Sequence, residues 1–402
     1  MEMIEYNEAI KVLEKNIEQQ KKTEEIHILD SYGYIVAEDI YSSISVPSFP
    51  KSAMDGYAVC SEDIINAEKD IPVKLKVAGK IIAGDSHIIQ GKKGQAVRIM
   101  TGGRIPDGFD CVVKQEDTDY GRDTVNIFTS LTPYSNYCKI GEDIQEGQLV
   151  VKKYTRIESS HIGVLASIGI SHVKIIAPMK VSVLCTGSEL INPGTKLGEA
   201  QIYNSCSYVI ASKLKRAGIK IVNIENCDDD IESIKNKVKN FLEESDLIIT
   251  TGGVSVGEKD LIPHVMEELG TIELFRKVNI KPGTPVTANR YRDKLILSFS
   301  GNPFAAIVNF ELFFWYAAAK FMNNNYFKPQ VFEVVLKNDI LKKNNLKRFL
   351  RGFEENNRVL CNTNKQMSSV LNEMMSCNCL VEQPEGKELF SGEVVKCIKF
   401  RY

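Results

Sequence analysis

The sequence predicts a multidomain α/β plus β protein built around a central α/β domain. At 402 residues the chain is too long for one ordinary hydrophobic core. Between residues 177 and 325, short apolar runs alternate with helical patterns, which is typical of a mostly parallel sheet covered by helices. On both sides of this region, β-like runs are separated by turn residues, which indicates smaller β-rich domains.

Composition excludes several classes of protein. Hydrophobic residues make up 43% and charged residues 25% of the chain, so it is globular rather than disordered. A net charge of −2 gives no overall attraction to nucleic acid. The N-terminus lacks the apolar centre of a signal peptide, and the longest apolar stretch, 304–321, is interrupted by Asn309 and Glu311. Scattered cysteines indicate reduced thiols, so we predict a cytoplasmic protein with no membrane span.

The N-terminal domain is predicted to be discontinuous. Residues 1–44 begin with an amphipathic helix and continue into a strand-like stretch, His27–Tyr41. The proline-bounded segment Val46–Pro50 marks a boundary. Residues 144–176 then supply a returning strand, helix and strand, at Leu149–Lys152, Glu158–Gly169 and Val173–Ile176. A chain that leaves a domain and returns makes residues 45–143 an insertion.

The remaining segments are assigned from apolar periodicity. The inserted domain carries β-like runs at Val73–Val77, Ala96–Met100, Cys111–Lys114 and Thr124–Phe128. In residues 177–325 we predict buried strands at Val181–Leu184, Lys220–Ile224, Leu247–Thr250, Ile272–Val278 and Leu295–Phe299. Helices are predicted at Ser205–Ala217, Ile231–Glu244, Leu261–Leu269 and Phe304–Phe321. Residues 326–402 form a C-terminal β domain, with strands at Val331–Leu336, Arg348–Gly352, Val359–Cys361 and Val394–Phe400.

Two glycine turns in the central domain indicate a phosphate site. Leu184–Leu190 follows one buried strand, and Asp246–Asp260 repeats the order of strand, glycine turn and acidic residues. Backbone N–H groups in such turns can bind an anion. A carboxylate follows each turn, which suits Mg²⁺ bound beside a phosphate. Because ligands bind at the carboxyl ends of parallel strands, we expect a nucleotide or phosphate site at this edge.

Two further segments allow two interpretations each. Lys277 and Lys281, four residues apart on a predicted strand, would share one face and could pair with an anion. A solvated sheet edge guarded by lysine explains them equally well. Asn302 and Pro303 fit the N-cap and first position of a helix. The same helix start could also present N–H donors to an oxyanion, and the two interpretations are compatible.

Local structure is the favoured explanation for several polar residues when they are considered alone. Asp55 precedes a glycine and fits a turn, as do Thr101 and Asp143 in their own glycine-containing segments. One residue of Asp228–Asp230 is expected to cap the following helix, where negative charge suits the helix dipole. A metal-binding role for this acidic run is the less favoured alternative. The histidines show no metal-ligand spacing.

Seven short motifs occur in order along the chain. Each is weak evidence alone, but together they are specific for one protein family. They are SAMDGYAV (52–59), TGGRIPDGFDCVVKQEDT (101–118), GEDI (141–144), TGSEL (186–190), TTGGVSVGEKD (250–260), KVNIKPGTP (277–285) and SGNP (300–303). The chain resembles the molybdopterin molybdenumtransferases, the MoeA family, which includes the C-terminal domain of gephyrin. The resemblance covers nearly the full length.

The resemblance implies four domains, with 177–325 as a MoaB/MogA-like three-layer domain, and an elongated homodimer. It also implies a reaction, in which molybdate is inserted into adenylylated molybdopterin and AMP is released, with Mg²⁺ as the divalent cation. Molybdopterin adenylyltransferase and apo-molybdoenzymes are the implied partners, whereas nucleic acid and membranes are not.

The resemblance also assigns site residues. Asp55, Asp143, Lys277 and Lys281 are implied to be catalytic, with Asp55, Thr101 and Asp143 completing the site across the dimer interface. Glu189 and Asp260 are the implied Mg²⁺ ligands. Arg348 or Arg351 would close the pocket from the last domain. The implied substrate- and nucleotide-binding residues are Thr101, Thr186, Gly187, Ser188, Asp228, Gly252, Gly253, Ser255, Gly257, Asn302, Arg348 and Arg351.

Four departures from the family pattern leave the choice of oxyanion open. They are Cys138, Ser188, Thr284 and Ala305, and they make the anion pocket less basic than is usual in the family. A tungstate-inserting paralogue is therefore one alternative. A non-catalytic, gephyrin-like dimeric scaffold and an adenylyltransferase that shares the central fold are two others. The retained acidic and lysine residues favour an enzyme over a scaffold.

Overall fold

The computed structural model describes residues 2–86, 89–254, 261–362 and 366–401. The first segment contains α1 (Tyr6–Lys15), β1 (Thr23–His27) and β2 (Ile40–Tyr41). Helix α1 buries one face because its apolar residues recur at helical spacing. The prediction of a strand over His27–Tyr41 was wrong. β1 ends at His27, and a 3₁₀ turn and Gly33, at φ 85°, bend the chain before β2.

The inserted domain is a five-stranded sheet with two short additional strands. Its elements are β3 (Lys51–Ser52), β4 (Gly56–Val59), β5 (Val73–Ile81), β6 (Gln95–Ile99), β7 (Cys111–Lys114), β8 (Thr124–Ile127) and β9 (Tyr137–Cys138). The sheet order is β7-β4-β6-β5-β8, and β3 pairs with β9. The ladder between β5 and β6 is parallel and shifts register between Val77 and Lys80.

The returning segment completes the first domain. It contributes β10 (Leu149–Val151), α2 (Ser159–Ser167) and β11 (His172–Ile176). β11 pairs antiparallel with β1, and β10 pairs antiparallel with β2. Each strand of the first segment therefore finds its partner only after the chain has returned from the inserted domain.

The central domain is a three-layer α/β structure. In chain order it contains β12 (Lys180–Thr186), β13 (Leu190–Ile191), β14 (Ile202–Tyr203), α3 (Cys206–Arg216), β15 (Lys220–Cys227), α4 (Ile231–Glu244), β16 (Leu247–Thr251), α5 (Leu261–Glu268) and β17 (Ile272–Arg276). After β18 (Ile280–Lys281) come β19 (Thr287–Tyr291), β20 (Lys294–Phe299), α6 (Pro303–Asn309) and α7 (Trp315–Phe321). The sheet order is β15-β12-β16-β20-β19-β17.

Strands β15, β12, β16 and β20 are parallel, whereas β19 and β17 pair antiparallel. The predicted strand Ile272–Val278 was too long. β17 ends at Arg276, and Lys277 has a left-handed φ of 61° that breaks the extended chain. Lys277 and Lys281 therefore do not lie on one continuous strand, and the inference that they share a strand face was wrong.

The C-terminal domain is a closed β structure. It comprises β21 (Val331–Leu336), β22 (Lys347–Glu355), β23 (Arg358–Leu360), β24 (Cys379–Gln383) and β25 (Val394–Lys399). Its order is β18-β22-β23-β21-β25-β24, and an additional pairing of β22 with β24 closes the sheet. Because β18 comes from the stretch between β17 and β19, backbone hydrogen bonds join the central and C-terminal domains.

Helices α6 and α7 and the π-helical turn between them, Phe310–Phe314, form one long core element. Its 19 residues are long and apolar enough to cross a membrane, but 89% of its most apolar window is buried inside the protein. Packing against the central sheet and the N-terminal helix therefore explains its apolar character. The multidomain α/β plus β class predicted from the sequence is confirmed.

Candidate functional site

A cleft of about 1330 Å³ lies where the central and C-terminal domains meet. One wall is formed by the residues that follow β12, β16 and β20, which are the carboxyl ends of three parallel strands. Of the predicted site residues, this wall includes Thr186, Gly187, Glu189, Gly252, Gly253 and Asn302. A second wall, from β18 and β22, includes Lys281 and Arg348. The sequence therefore located the cleft at the correct edge of the sheet.

Close backbone packing explains the glycines of the first wall. A Cβ atom on Gly252, whose φ is 93°, would lie 2.4 Å from the carbonyl oxygen of Thr186. A Cβ atom on Gly301 would lie 3.3 Å from the Cα atom of Gly252. The three turns therefore present backbone rather than side chains to a ligand in this part of the cleft.

Two glycine N–H groups that were expected to bind an anion are used inside the protein. Gly187 N–H donates to the Cys227 carbonyl (3.0 Å), and Gly252 N–H donates to the Phe299 carbonyl (3.1 Å). Within the described ranges, the N–H groups of Ser188 and Gly253 form no hydrogen bond. Of these two residues Gly253 lines the cleft, so its N–H group can be offered to a phosphate there.

The second wall holds two cations on adjacent strands. Lys281 of β18 and Arg348 of β22 are direct partners in a parallel ladder. The Arg348 guanidinium donates to neutral acceptors, the Lys342 carbonyl (3.1 Å) and Gln383 Oε1 (2.9 Å). Burial lowers the pKa of Arg348. Like charges at directly opposite positions are destabilising, so this pair is suited to bind an anion.

Among the described residues, two carboxylates line the cleft, and one of them was not predicted. Glu189 lies at the first glycine turn, and Asp229 lies beside it, with its N–H donating to Ser188 Oγ (3.2 Å). Of the acidic run, Asp229 rather than Asp228 lines the cleft, while Asp230 caps α4 by accepting from Ser233 N–H (2.8 Å). In the described part of the chain, no three His, Cys, Asp or Glu residues form a metal-binding group. One or two carboxylates beside a phosphate nevertheless fit Mg²⁺, which keeps several waters.

Arg351 does not close the pocket. It is only 3% exposed, and its guanidinium carbon lies 3.5 Å from the centre of the Phe304 ring. It donates to the carbonyls of Met367 (3.1 Å) and Val370. These bonds hold the segment 366–370 against α6, where Phe304 N–H donates to the Ser368 carbonyl (2.9 Å). Among the described residues, Arg348 is therefore the predicted arginine that lines the cleft.

Asp55 and Thr101 are in contact in the inserted domain, and Asp143 lies at its boundary in the sequence. Among the described residues, none of the three lines the cleft. Asp55 Oδ1 accepts hydrogen bonds from the Thr101 N–H and hydroxyl, both at 2.7 Å. These bonds hold the pKa of Asp55 below its usual value. Asp143 N–H donates to the Val46 carbonyl (3.0 Å).

Several lining residues were missed because they come from loops of the C-terminal domain. They are Lys342, Asn344, Gln366 and Ser368, and no local pattern in the sequence connects them with the glycine turns. Asn204 and Cys206, at the start of α3, were also missed. Lys277, Ser188 and Asp228 lie outside the residues that line the cleft, within the described ranges. The predictions for Ser255, Gly257 and Asp260 fall outside the described residues.

Three family models match successive parts of the chain. The MoeA N-terminal region (domains I and II) matches residues 4–169, a probable molybdopterin binding domain matches 182–319, and the MoeA C-terminal region (domain IV) matches 333–400.

Curated relatives and solved structures agree with these matches. The molybdopterin molybdenumtransferase of Haemophilus influenzae is 32% identical over 95% of each chain, and that of Bacillus subtilis is 32% identical over 96% of this chain and 92% of its own. The crystal structure of a molybdopterin biosynthesis MoeA protein from Pyrococcus horikoshii superimposes with a TM-score of 0.87, at 28% identity, over the whole of both chains. The chain therefore belongs to the molybdopterin molybdenumtransferase family, with the domains of MoeA in the same order.

Proposed function

We propose that this enzyme inserts molybdate into adenylylated molybdopterin and releases AMP during molybdenum cofactor biosynthesis. The observation that carries the proposal is the composition of the cleft, which glycine turns, carboxylates and the Lys281–Arg348 pair line together. One wall suits a nucleotide phosphate beside a divalent cation, and the other suits a second anion. A reaction between two anionic substrates needs both walls at one site.

Each wall has a distinct role in the proposed reaction. The N–H group of Gly253 binds the phosphate of the adenylyl group, while Lys281 and Arg348 hold molybdate against the pterin. Glu189 and Asp229 would hold Mg²⁺, which would neutralise the charge that develops on the departing AMP. Water attacks the phosphoanhydride bond, so that AMP leaves and the pterin keeps its own phosphate. The two dithiolene sulfurs replace oxide ligands of molybdate, and the displaced oxide leaves as water. Fixed donors at both ends lower the barrier because they need no reorganisation.

A second copy of the chain completes the proposed site. Asp55, Thr101 and Asp143 are separated from the cleft lining of their own chain, which fits residues that act across a homodimer interface. Exposed apolar side chains lie beside them in sequence, at Phe49, Met54 and Ile140. We further propose a cytoplasmic enzyme that receives its substrate from molybdopterin adenylyltransferase and delivers product to apo-molybdoenzymes.

Release of AMP from adenylylated molybdopterin tests the proposal. The purified enzyme is assayed with Mg²⁺ and with molybdate, with tungstate, or with neither oxyanion. We expect release that depends on molybdate, and a preference for tungstate would instead identify a tungstate-inserting paralogue. A folded dimer that releases no AMP with either oxyanion would favour the scaffold alternative and contradict the proposal.

A further inference from the structure

A second cavity, of about 670 Å³, lies in the inserted domain and shares no lining residue with the cleft. It is lined by β5, β6 and the connection between β7 and β8. Three of its side chains, Lys80, Arg98 and Arg122, are cationic, and Tyr120 supplies an aromatic ring. We refer to it as the basic cavity. None of these residues takes part in the function proposed above.

Strand pairing places two cations of the basic cavity directly opposite each other. Lys80 of β5 and Arg98 of β6 are Cα partners in a parallel ladder. Side chains at opposite positions of a ladder share a face, and like charges there are destabilising. The register shift between Val77 and Lys80 changes the direction of β5 immediately before this pair. Such irregularities are frequent next to binding sites because they redirect a side chain.

Neutral groups hold Arg98 in place without neutralising it. Its guanidinium donates to the Tyr57 hydroxyl (2.9 Å) and to Gln115 Oε1 (3.4 Å). The Tyr57 hydroxyl in turn donates to the Gly121 carbonyl (2.9 Å). Arg98 contributes to the lowered pKa of Asp55, but the carboxylate accepts its hydrogen bonds from the N–H and hydroxyl of Thr101. The Arg98 charge is therefore rigidly positioned and remains available.

Lys80 and Arg122 form no ion pair with any residue in the described ranges. The basic cavity thus gathers three positive charges without a paired carboxylate, in a protein whose net charge is −2. The Lys281–Arg348 pair of the cleft is arranged in the same way as Lys80 and Arg98. In both pairs, two cations are partners on parallel strands, and neutral acceptors hold the arginine. This repetition indicates that the basic cavity also binds an anion.

We propose that the basic cavity binds the phosphate of a small phosphorylated molecule that carries a planar ring. Its volume falls in the range of roughly 300–1,000 Å³ that is usual for small-molecule sites. Lys80, Arg98 and Arg122 supply the charge that a phosphate dianion requires. Tyr120, which is 50% exposed, offers a ring face for stacking. The inference goes beyond the proposed function, because it concerns a separate cavity in another domain.

Calorimetric titration of the whole protein with phenyl phosphate and with inorganic phosphate, at low ionic strength, tests the inference. We expect phenyl phosphate to bind more tightly, because only it can contact Tyr120. Lys80→Gln should weaken phenyl phosphate binding about tenfold, the usual effect of one lost charge-assisted hydrogen bond. Arg122→Gln should weaken it similarly. Both residues are exposed, so neither substitution threatens folding.

Lys76→Gln is the matched control. It removes the same charge from the same strand, but Lys76 is exposed, lies opposite Gln95 and is outside the cavity lining, so affinity should be unchanged. Lys281→Gln distinguishes the basic cavity from the cleft. In a protein that carries Lys281→Gln, adding Lys80→Gln should still weaken phenyl phosphate binding about tenfold, because the two sites are independent. Equal affinity in the Lys80 and Lys76 variants, or equal affinity for the two phosphates, would overturn the proposal.

Discussion

At the scale of single residues, the pairing of Lys281 with Arg348 determines how the cleft can work. The two residues are far apart in sequence, yet β18 and β22 place them at directly opposite positions. Lys277, which the sequence could not distinguish from Lys281, adopts a left-handed conformation before the chain reaches β18. Its N–H donates to the Val286 carbonyl (3.1 Å), so its backbone closes a turn. The two lysines should therefore differ in function.

The first prediction concerns this difference. Lys281→Ala should weaken molybdate binding roughly tenfold to hundredfold, because it removes one charge-assisted contact from the cation pair. Lys277→Ala should have a much smaller effect, because Lys277 lies outside the described lining of the cleft. The dependence of AMP release on molybdate concentration measures both. Equal losses in the two variants would contradict the assignment of Lys281 as the oxyanion contact.

The second prediction concerns Asp230, the N-cap of α4. Its carboxylate accepts from Ser233 N–H (2.8 Å), which holds its pKa below the ordinary 3.8. A carboxyl with a lowered folded-state pKa stabilises the protein above its ordinary pKa, and the contribution is lost as pH falls through the lowered value. Asp230→Ala should therefore destabilise at neutral pH, and the gap from wild type should narrow as the carboxyl becomes protonated.

Urea unfolding of the wild type, Asp230→Ala and Asp230→Asn across this pH range is the measurement. Asparagine is also a good cap, so the Asn variant should retain stability and show no such pH dependence. A difference between wild type and the alanine variant that stays constant down to acid pH would show that charge at the cap is unimportant.

At the scale of elements, the helix Pro303–Phe321 places a charged side chain, Glu311, inside the hydrophobic core. Glu311, 1% exposed at its side chain, forms a 2.7 Å ion pair with Lys213 of α3 and accepts a hydrogen bond from Trp315 Nε1 (2.7 Å). Burial raises the pKa of Glu311, although Lys213 and Trp315 oppose the shift. Lys213 also donates to the Arg401 carbonyl (3.1 Å). The pair therefore links α3, the long helix and the C-terminal residues.

The third prediction is that Glu311→Gln destabilises the protein by about 3–5 kcal/mol, the usual cost of leaving one partner of a buried ion pair uncompensated. The double variant Lys213→Met/Glu311→Leu should recover much of this loss, because it removes both charges at similar volume. Urea unfolding of the three proteins measures the effect. A double variant less stable than Glu311→Gln would show that the ion pair itself stabilises the fold.

Elements with strong local signals were the ones that sequence could predict. Helix α4 was predicted with its observed bounds because an aspartate cap precedes a regular apolar face. The four parallel strands were found because they are continuous apolar runs. β18, β19 and β24 were missed because each mixes polar and apolar side chains. The pairing partner of β18, β22, is also distant in sequence, whereas β19 forms a hairpin with β20. The glycine turns of the site could be predicted because, as for α4, a short stretch of sequence contains the whole signal.

The second wall of the cleft could not be predicted in this way. Side chains alternate between the two faces of β22, and this alternation decides which arginine lines the cleft. Arg348 is half-buried at the cleft, whereas Arg351 packs on Phe304. Lys342 and Gln366 line the same cleft as the glycine turns, and β18 joins the C-terminal sheet to the central domain there. Such contacts depend on tertiary pairing and leave no periodic signal in the sequence.

At the scale of the whole molecule, Asp55 is not among the described residues that line the cleft, and the proposed homodimer would account for this. Asp55 and Thr101 belong to the inserted domain, whereas Lys281 belongs to the strand that joins the central and C-terminal domains. Ile140, 57% exposed, and Met54 lie in sequence next to Asp143 and Asp55. A two-fold dimer that buries these apolar groups would bring the aspartates of one protomer toward the cleft of its partner.

The last prediction tests this shared site by complementation. Asp55→Ala and Lys281→Ala homodimers should each fold and lack normal activity, because every site in them has lost one residue. In a heterodimer of the two variants, both substitutions fall in one site and the other site is intact. Random exchange of subunits makes about half of the dimers mixed, so activity should return to about a quarter of wild type. AMP release, measured after subunit exchange, reports the recovery.

Asp55→Ala mixed with Asp55→Asn is the control and should show no such gain. If the Asp55→Ala and Lys281→Ala mixture also shows no gain, although mass measurement confirms heterodimers, then both residues act within one chain and the composite site is wrong.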